Sequence, residues 1–162
     1  MLTRTFLAFT PLLCLVLGCG PQAPDRWESA QKASVEQPKA VSEATLPGAT
    51  FNKFFPKQED DIDLVFKQEK LGFAQASVQR GGNLLGMLSI SDTRSNPAAR
   101  DKYKDSTVKI ADSPAVSTDQ TTSVLVADRF QVQVQSEGEA LPAEDRARWI
   151  EKFDLAGLAA AH

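Results

Sequence analysis

An alternating apolar pattern in the second half of the chain limits its fold more than any other feature. Apolar side chains occupy even positions of this segment: Val124, Val126, Phe130, Val132 and Val134. Successive side chains of a β-strand point to opposite faces, so the pattern predicts extended structure with one buried face. Asp128 interrupts this apolar face, but the parity survives across residues 127–129, so one long bent strand over residues 122–136 is favoured over a two-residue hairpin. A hairpin would be expected to show Asn-Gly or Asp-Gly at the break.

Three further strands are predicted earlier in the chain. Alternation runs over residues 62–67, and a second strand is expected over residues 73–79. The sequence Arg80-Gly81-Gly82-Asn83 follows, in which glycine accepts the positive φ of a tight turn. A third, more apolar strand is expected over residues 84–90. These strands would form an antiparallel meander.

The other segments predict short helices and one more strand. Asn96 and Pro97 are expected to open a short helix to about residue 105, because proline suits the first helical position. A brief edge strand is expected over residues 107–111, followed by a loop over residues 113–120. Pro142 is expected to start a last helix, whose apolar stripe would lie across the sheet.

These elements together predict an α+β fold. We expect a single small domain over residues 48–162, with a mainly antiparallel sheet of about four to six strands. The C-terminal helix would pack on one face of this sheet. A domain of about 110 residues is well within the range of one hydrophobic core.

Phe51, Phe54 and Phe55 form the first aromatic cluster of this domain. Their spacing places the three rings on one side of a helical turn, which Pro56 would end. The cluster has two interpretations. It is either a lid that packs on the core, or an exposed aromatic anchor for a partner or for lipid.

Arg129 is the second candidate for an interaction surface, because it is a cation in the middle of the clearest strand region. One interpretation places its side chain on the open face of the sheet, where it would meet an anionic group. The other pairs it with Asp128, or with an acid of a neighbouring strand, on the solvent side. Gln131, Gln133 and Gln135 continue the same strand as a polar row.

Residues 1–18 have the organisation of a secretory signal peptide. Arg4 supplies the positive charge, and the apolar run that follows is shorter than the roughly 20 residues of a membrane span. Gly18 is the small residue before the expected cleavage site, and Cys19 follows it. The alternative is an ordinary secreted protein with a chance cysteine near this site.

The sequence Leu15-Val16-Leu17-Gly18-Cys19 resembles the lipobox of bacterial lipoproteins. It departs from the commonest pattern at Val16 and Leu17, where leucine followed by a small residue is usual. The resemblance implies that the Cys19 thiol is alkylated with a diacylglycerol, and that the chain is cut before Cys19 and acylated there. In lipoproteins of bacteria with two membranes, an Asp directly after the lipidated cysteine resembles a signal for retention in the inner membrane. Gly20 at that place therefore favours the outer membrane in a host with two membranes.

Residues 19–47 are expected to form a flexible tether. This segment is rich in Pro, Ala, Gln, Ser, Glu and Lys, and Trp27 is its only aromatic residue. Such a composition buries too little apolar surface to offset the entropy lost on ordering. The tether would hold the domain away from the bilayer.

The composition excludes several classes of function for the mature domain. A net charge of -3, with mixed signs, argues against nucleic acid as a partner. Cys14 and Cys19 lie in the signal peptide or at its end, and the only histidine is the terminal His162. This removes Ser-His-Asp and Cys-His catalysis and zinc-thiolate sites. The acidic segment 57–63 lacks the spacing of a calcium loop and is interpreted as a solvated turn. No catalytic residue, metal or cofactor is assigned.

We therefore expect a lipid-anchored protein of the bacterial cell envelope that faces the periplasm. It would act as a non-enzymatic accessory or protein-interaction module, with another envelope protein as its partner. The alternative is a module that binds an apolar or lipid-like ligand between the sheet and the C-terminal helix. An enzyme that uses carboxylates alone is a third hypothesis.

Overall fold

A seven-stranded antiparallel sheet forms the centre of the computed structural model, which describes residues 45–59 and 61–161. The strands are β1 (Asp63–Lys70), β2 (Phe73–Arg80), β3 (Asn83–Asp92), β4 (Lys109–Ile110), β5 (Ser113–Ser117), β6 (Thr121–Val126) and β7 (Phe130–Ser136). Their order across the sheet is β1-β2-β3-β7-β6-β5-β4. Two meanders therefore meet at the β3–β7 pair. The predicted signal peptide, Cys19 and residues 20–44 of the predicted tether lie outside the described residues.

Five short helices accompany the sheet in the part of the chain that the structure describes. They are the 3₁₀ helices η1 (Gly48–Phe54), η2 (Thr93–Ser95) and η3 (Pro97–Tyr103) and the α-helices α1 (Ala143–Glu151) and α2 (Leu155–Ala159). Asp154 caps α2 by accepting a hydrogen bond from the Gly157 backbone N–H at 2.8 Å. No helix within the described residues is long and apolar enough to cross a membrane.

The core lies between one face of the sheet and the helices η1, α1 and α2. Alternate residues of the central strands point into it, among them Ile90, Val132 and Val134, and all three are fully buried. Ile150 of α1 and Leu158 of α2 close the core from the helical side. The predicted class, an α+β fold with a C-terminal helix on an antiparallel sheet, is confirmed. The number of strands is higher than expected.

The β6–β7 hairpin shows that the prediction of one bent strand over residues 122–136 is wrong. The chain turns at Ala127 and Asp128. Both residues have a φ of 50°, which lies in the left-handed region. Arg129 N–H donates to the Val126 carbonyl at 3.0 Å, and Val126 pairs with Phe130. Because these paired residues are four positions apart, even-numbered side chains of both strands share one face. A pattern in which apolar residues keep to even positions is therefore compatible with a hairpin of this register as well as with one strand.

Strand β5 shows that the predicted loop over residues 113–120 is wrong in its first half. Ala111 and Asp112 form the turn before it, with φ of 46° and 63°, and Ser113 then pairs with Ile110. Pro114 lacks the N–H that an inner strand needs. It is accommodated because its neighbour β4 has only two residues and forms the edge of the sheet.

The first meander agrees with its prediction. Gly81 and Gly82 form the β2–β3 turn with φ of 55° and 80°. The turn between β1 and β2 lies at Leu71 and Gly72, and the predicted helix after Asn96 is the 3₁₀ helix η3. Strands β2 and β3 of this meander also contribute side chains to the face of the sheet that lies opposite the core.

Candidate functional site

The face of the sheet opposite the core is lined by uncharged side chains, most of which are polar. In three adjacent strands, Gln75 pairs with Ser89 and Ser89 with Gln133, so their side chains form one row. Parallel rows lie above and below it, because alternate residues of a strand share a face. We call this surface the open face, and its residues are Phe73, Gln75, Ser77, Met87, Ser89, Ser91, Gln131, Gln133 and Gln135.

Helix η3 borders the open face on one side. Lys102 of η3 donates to the Ser123 hydroxyl at 3.1 Å, and Ser123 pairs with Gln133. Helix η3 therefore covers the part of this face formed by β5 and β6. The helices that pack on β2 and β7, which are η1 and α1, do so from the core side. The open face is the part of this side of the sheet that η3 leaves uncovered.

The open face offers hydrogen-bonding groups without charge. Gln131 donates from Nε2 to Oε1 of Gln133 at 3.2 Å, and Gln79 donates to the Ser77 hydroxyl at 3.1 Å. Most of the side chains are half-buried, whereas Ser77 and Ser89 are small and are covered by their neighbours. Amides and hydroxyls can both donate and accept. Such a surface suits recognition by hydrogen bonds and shape rather than by charge.

Phe51, Phe54 and Phe55 are buried, with 0%, 4% and 6% of their surface exposed. The ring of Phe51 contacts Phe130 edge-on at a centroid distance of 5.9 Å, and Phe55 lies 5.2 Å from Phe153. This is the arrangement of a lid on the core. These three rings do not form an exposed anchor.

Arg129 is held in a buried ion pair with Asp92. Its Nη2 and Nε atoms lie 2.7 Å and 3.2 Å from Oδ2 of Asp92, whose side chain is fully buried. Nη1 donates to the Ala161 carbonyl at 3.1 Å, and the guanidinium lies 4.3 Å from the Phe130 ring centroid. The partner is an acid of a neighbouring strand, as one interpretation held, but the pair is buried rather than solvated. Arg129 is not available to an anionic ligand on the open face.

Arg146 is a second buried arginine, and the sequence pattern did not identify it. It lies in α1 with 3% of its surface exposed and donates four hydrogen bonds. The acceptors are Thr122 Oγ1 and the carbonyls of Asp119, Leu141 and Thr118, at distances from 2.7 to 3.1 Å. Arg146 therefore joins α1 to the β5–β6 turn and to the loop before α1.

Lys102, Tyr103 and Ser123 form the only cluster of described residues in which burial shifts pKa values. Burial lowers the pKa of the Lys102 amine. It also raises the pKa of Tyr103 to about 12, and the nearby Ser123 hydroxyl offsets part of that rise. A lysine amine next to a serine hydroxyl is an arrangement that can activate a nucleophile. Ser123 is only 2% exposed, however, so a substrate cannot reach its oxygen in this conformation.

Titration of Tyr103 tests this environment directly. Tyr103 is the only tyrosine of the chain, so the near-ultraviolet absorbance of phenolate reports this residue alone. We expect a midpoint near 12 in the folded protein, against about 10 in the unfolded chain. Because the pKa is raised by folding, the associated stability is complete below pH of about 10 and is lost as the pH rises through about 12. Tyr103→Phe should remove this alkaline loss, and a midpoint near 10 in the native state would contradict the burial of the hydroxyl.

The space between the sheet and α1 is filled by core side chains. Val134 and Ile150 are fully buried there, and Trp149 is 7% exposed. Open cavities lie at the periphery instead. One of about 570 Å³ lies beside η3 and is lined by Tyr103 and Leu125 among others, and one of about 580 Å³ lies beside Arg146.

The acidic segment before β1 does not gather into a metal site in the described part of the chain. No group of three or more His, Cys, Asp and Glu side chains there is placed to hold a metal ion. Asp61 instead pairs with Arg80 at 3.0 Å, and Glu59 pairs with Lys152 at 2.6 Å.

The described fold is that of a small antiparallel α+β domain with helices on one face and an open polar face on the other. No protein-family model matches the sequence, and no curated protein or solved structure matches it significantly.

Proposed function

We propose that this protein is a lipid-anchored, non-enzymatic accessory of the bacterial cell envelope that binds another envelope protein through its open face. The lipobox-like sequence that ends at Gly18 and Cys19 supports the anchor. Burial of acyl chains contributes about 0.8 kcal/mol per methylene, so two or three chains hold a protein stably at a membrane. Gly20 favours the outer membrane, if the host has one.

The open face is the observation that carries the interaction. It spans the three adjacent strands β2, β3 and β7, and none of its side chains is charged. Val65 and Leu84, each 39% exposed, extend it toward β1 and the β2–β3 turn with apolar surface. Protein interfaces are depleted of charge at their centre and combine apolar contacts with hydrogen bonds. The open face has this composition.

The packing beneath α1 favours this proposal over the alternative of an apolar ligand. A ligand between the sheet and the C-terminal helix needs a cavity of several hundred cubic ångströms. Ile150 and Leu158 fill that space with fully buried side chains.

Site-specific photo-crosslinking of the full, anchored chain in its own membranes tests the proposal. A photoreactive residue at Gln75 is expected to give one defined adduct, whereas the same residue at Glu151 on the exposed side of α1 should give none. The adduct should be lost when Gln133→Arg adds a charge to the neighbouring row, and it should persist in the control Lys57→Glu. Gln133 is half-buried and Lys57 is exposed, so neither substitution disturbs the core. Unfolding midpoints equal to that of the unmodified protein would verify that both variants are folded.

Two outcomes would contradict the proposed interface. One is the absence of any adduct at Gln75 above that of the protein without the photoreactive group. The other is an adduct of equal yield at Gln75 and Glu151, because a specific interface involves one surface only.

A further inference from the structure

We propose that two copies of this chain pair through the exposed edge of strand β1 and form one continuous sheet. The part of the strand that pairs is residues 63–67, which we call the free edge. This inference goes beyond the proposed function, since it depends neither on the anchor nor on the open face as an interface. The exposure of the strand, the direction of its backbone groups and its charge pattern support it.

Strand β1 is the long edge of the sheet. Among the described residues no strand pairs with its outer side, and seven of its eight residues are exposed. Val65 and Phe66 of the free edge are 39% and 40% exposed, although both side chains are large and apolar. The opposite edge, β4, has only two residues and pairs with Pro114, and both features hinder the addition of a strand. The described sheet therefore offers one long edge to another strand.

The backbone of the free edge has hydrogen-bonding groups that point away from the sheet. Ser77 of β2 donates its hydroxyl to the Val65 carbonyl at 3.4 Å, so this carbonyl points toward β2. The N–H of Phe66 points the opposite way, because it belongs to the same trans peptide unit. The Leu64 carbonyl also points outward, since successive carbonyls of a strand alternate in direction. The free edge thus presents a donor and an acceptor, one on each side of Val65.

The side chains of the free edge complement themselves when two copies run antiparallel about Val65. In this register the Phe66 N–H of one copy meets the Leu64 carbonyl of the other, and their apolar side chains lie opposite each other. Val65 meets its own copy. Asp63 lies opposite Lys67 at both ends of the segment. Apolar pairs and opposite-charge pairs directly across two strands are stabilising, so the pattern of one acid, three apolar residues and one base matches itself.

Other registers lose this match. Centring the pair on Phe66 would place Asp63 opposite Glu69, which is also an acid. Centring it on Leu64 would place the apolar Val65 opposite Asp63. A shift by one residue would join the core side of one sheet to the open side of the other, because paired residues share a face. The sequence of the free edge therefore selects the register about Val65.

The pairing is limited to the free edge. Strand β1 has a bulge at Lys67, which bends it away from a straight partner. Asp61, just before the free edge, pairs with Arg80 of its own copy at 3.0 Å. Glu69, just after it, accepts a hydrogen bond from Asn52 at 2.7 Å. A stable interface has about 20–30 residues a side, so we expect a weak dimer that closes at two copies.

Disulfide formation at position 65 tests the pairing in the full chain in its own membranes. Val65→Cys places two thiols across the twofold axis, on Cα atoms about 4.5 Å apart, which a disulfide can span. Leu84→Cys is the matched control, because Leu84 is also 39% exposed but lies beside the β2–β3 turn. The unmodified chain, oxidised in parallel, reports any dimer formed through Cys14 or Cys19. We expect mild oxidation to give a covalent dimer for Val65→Cys alone.

Charge reversal supplies a second readout, which an exposed thiol alone would not give. In the Val65→Cys chain, either Asp63→Lys or Lys67→Asp should abolish the covalent dimer, because like charges then face each other. The two charge variants, produced together in one cell, should form it again, since each lysine then faces an aspartate. Asp63 and Lys67 are both exposed, so neither change disturbs the core.

Equal yields of covalent dimer from Val65→Cys and Leu84→Cys would overturn the inference, because random collision would then explain both. A yield from Val65→Cys no higher than that of the unmodified chain would overturn it as well, and so would a dimer that persists with Asp63→Lys. None of these results bears on the adduct expected at Gln75. Failure of the pairing and failure of the proposed function are therefore distinguishable.

Discussion

Replacing Arg146 by alanine is expected to lower the free energy of unfolding by about 3–5 kcal/mol, because two buried and two partly buried acceptors lose their donor. Three of these acceptors are the carbonyls of Thr118, Asp119 and Leu141, and the fourth is the hydroxyl of Thr122. A buried acceptor without a partner costs about 1–3 kcal/mol. Small domains are stable by only about 5–15 kcal/mol, so this single change removes a large part of the total.

Arg148→Ala is the matched control, since it makes the same substitution two residues later in the same helix. The Arg148 side chain is 66% exposed and pairs only with Asp145 in the same helix. Exposed pairs contribute about 0–1 kcal/mol. Arg146→Lys should fall between the two, because lysine keeps the charge but lacks the planar fork that reaches several carbonyls.

Chemical denaturation of the three variants measures these effects. We expect the midpoint of Arg146→Ala to fall far below that of the unmodified protein, with an unchanged slope. If Arg146→Ala and Arg148→Ala lost equal stability, the network around Arg146 would not hold α1 to the sheet.

The second large effect is expected at the buried ion pair of Asp92 and Arg129. Arg129→Ala leaves the Asp92 carboxylate buried without its cation, and such a change costs about 3–5 kcal/mol. Arg100→Ala is the control, because the Arg100–Asp128 contact is long, at 3.5 Å, and 82% of the Asp128 side chain is exposed. That variant should lose at most about 1 kcal/mol.

A double-mutant cycle separates the pair from the packing around it. We expect Asp92→Asn combined with Arg129→Met to lose much less stability than the sum of the two single variants, because each single variant leaves one buried charge unpaired and the double variant leaves none. Additive losses would show that the two side chains are not coupled. Arg129 also binds the Ala161 carbonyl, so faster proteolysis of the C-terminus should accompany Arg129→Ala.

Local sequence patterns were sufficient for much of the fold. The first meander follows from alternation and from the two glycines at residues 81 and 82, which accept the positive φ that the turn requires. Pro142 marks the start of α1, as predicted, because proline suits the first positions of a helix.

Two hairpins were missed because non-glycine residues form their turns. Ala127-Asp128 and Ala111-Asp112 adopt positive φ, which alanine adopts only when the surrounding strands enforce it. The cross-strand pairs of β6 and β7 supply that constraint, and they are formed by tertiary structure rather than by the turn sequence. The strand count was too low for the same reason.

The surfaces were harder to predict than the strands. Gln131, Gln133 and Gln135 are recognisable as a polar row, but Gln75 and Ser89 join it only through the strand order. Arg129 and Asp92 are 37 positions apart, so no local pattern could pair them. Arg146 lies in an amphipathic helix where an arginine is usually solvated, and only the β5–β6 turn shows why it is buried.

The mass of the mature protein isolated from membranes tests the central proposal most directly. We expect a chain that begins at Cys19 and carries a diacylglycerol on its sulfur, with an acyl group on its new amino terminus. A chain that begins with a free, unmodified residue, or one that still contains residues 1–18, would contradict it.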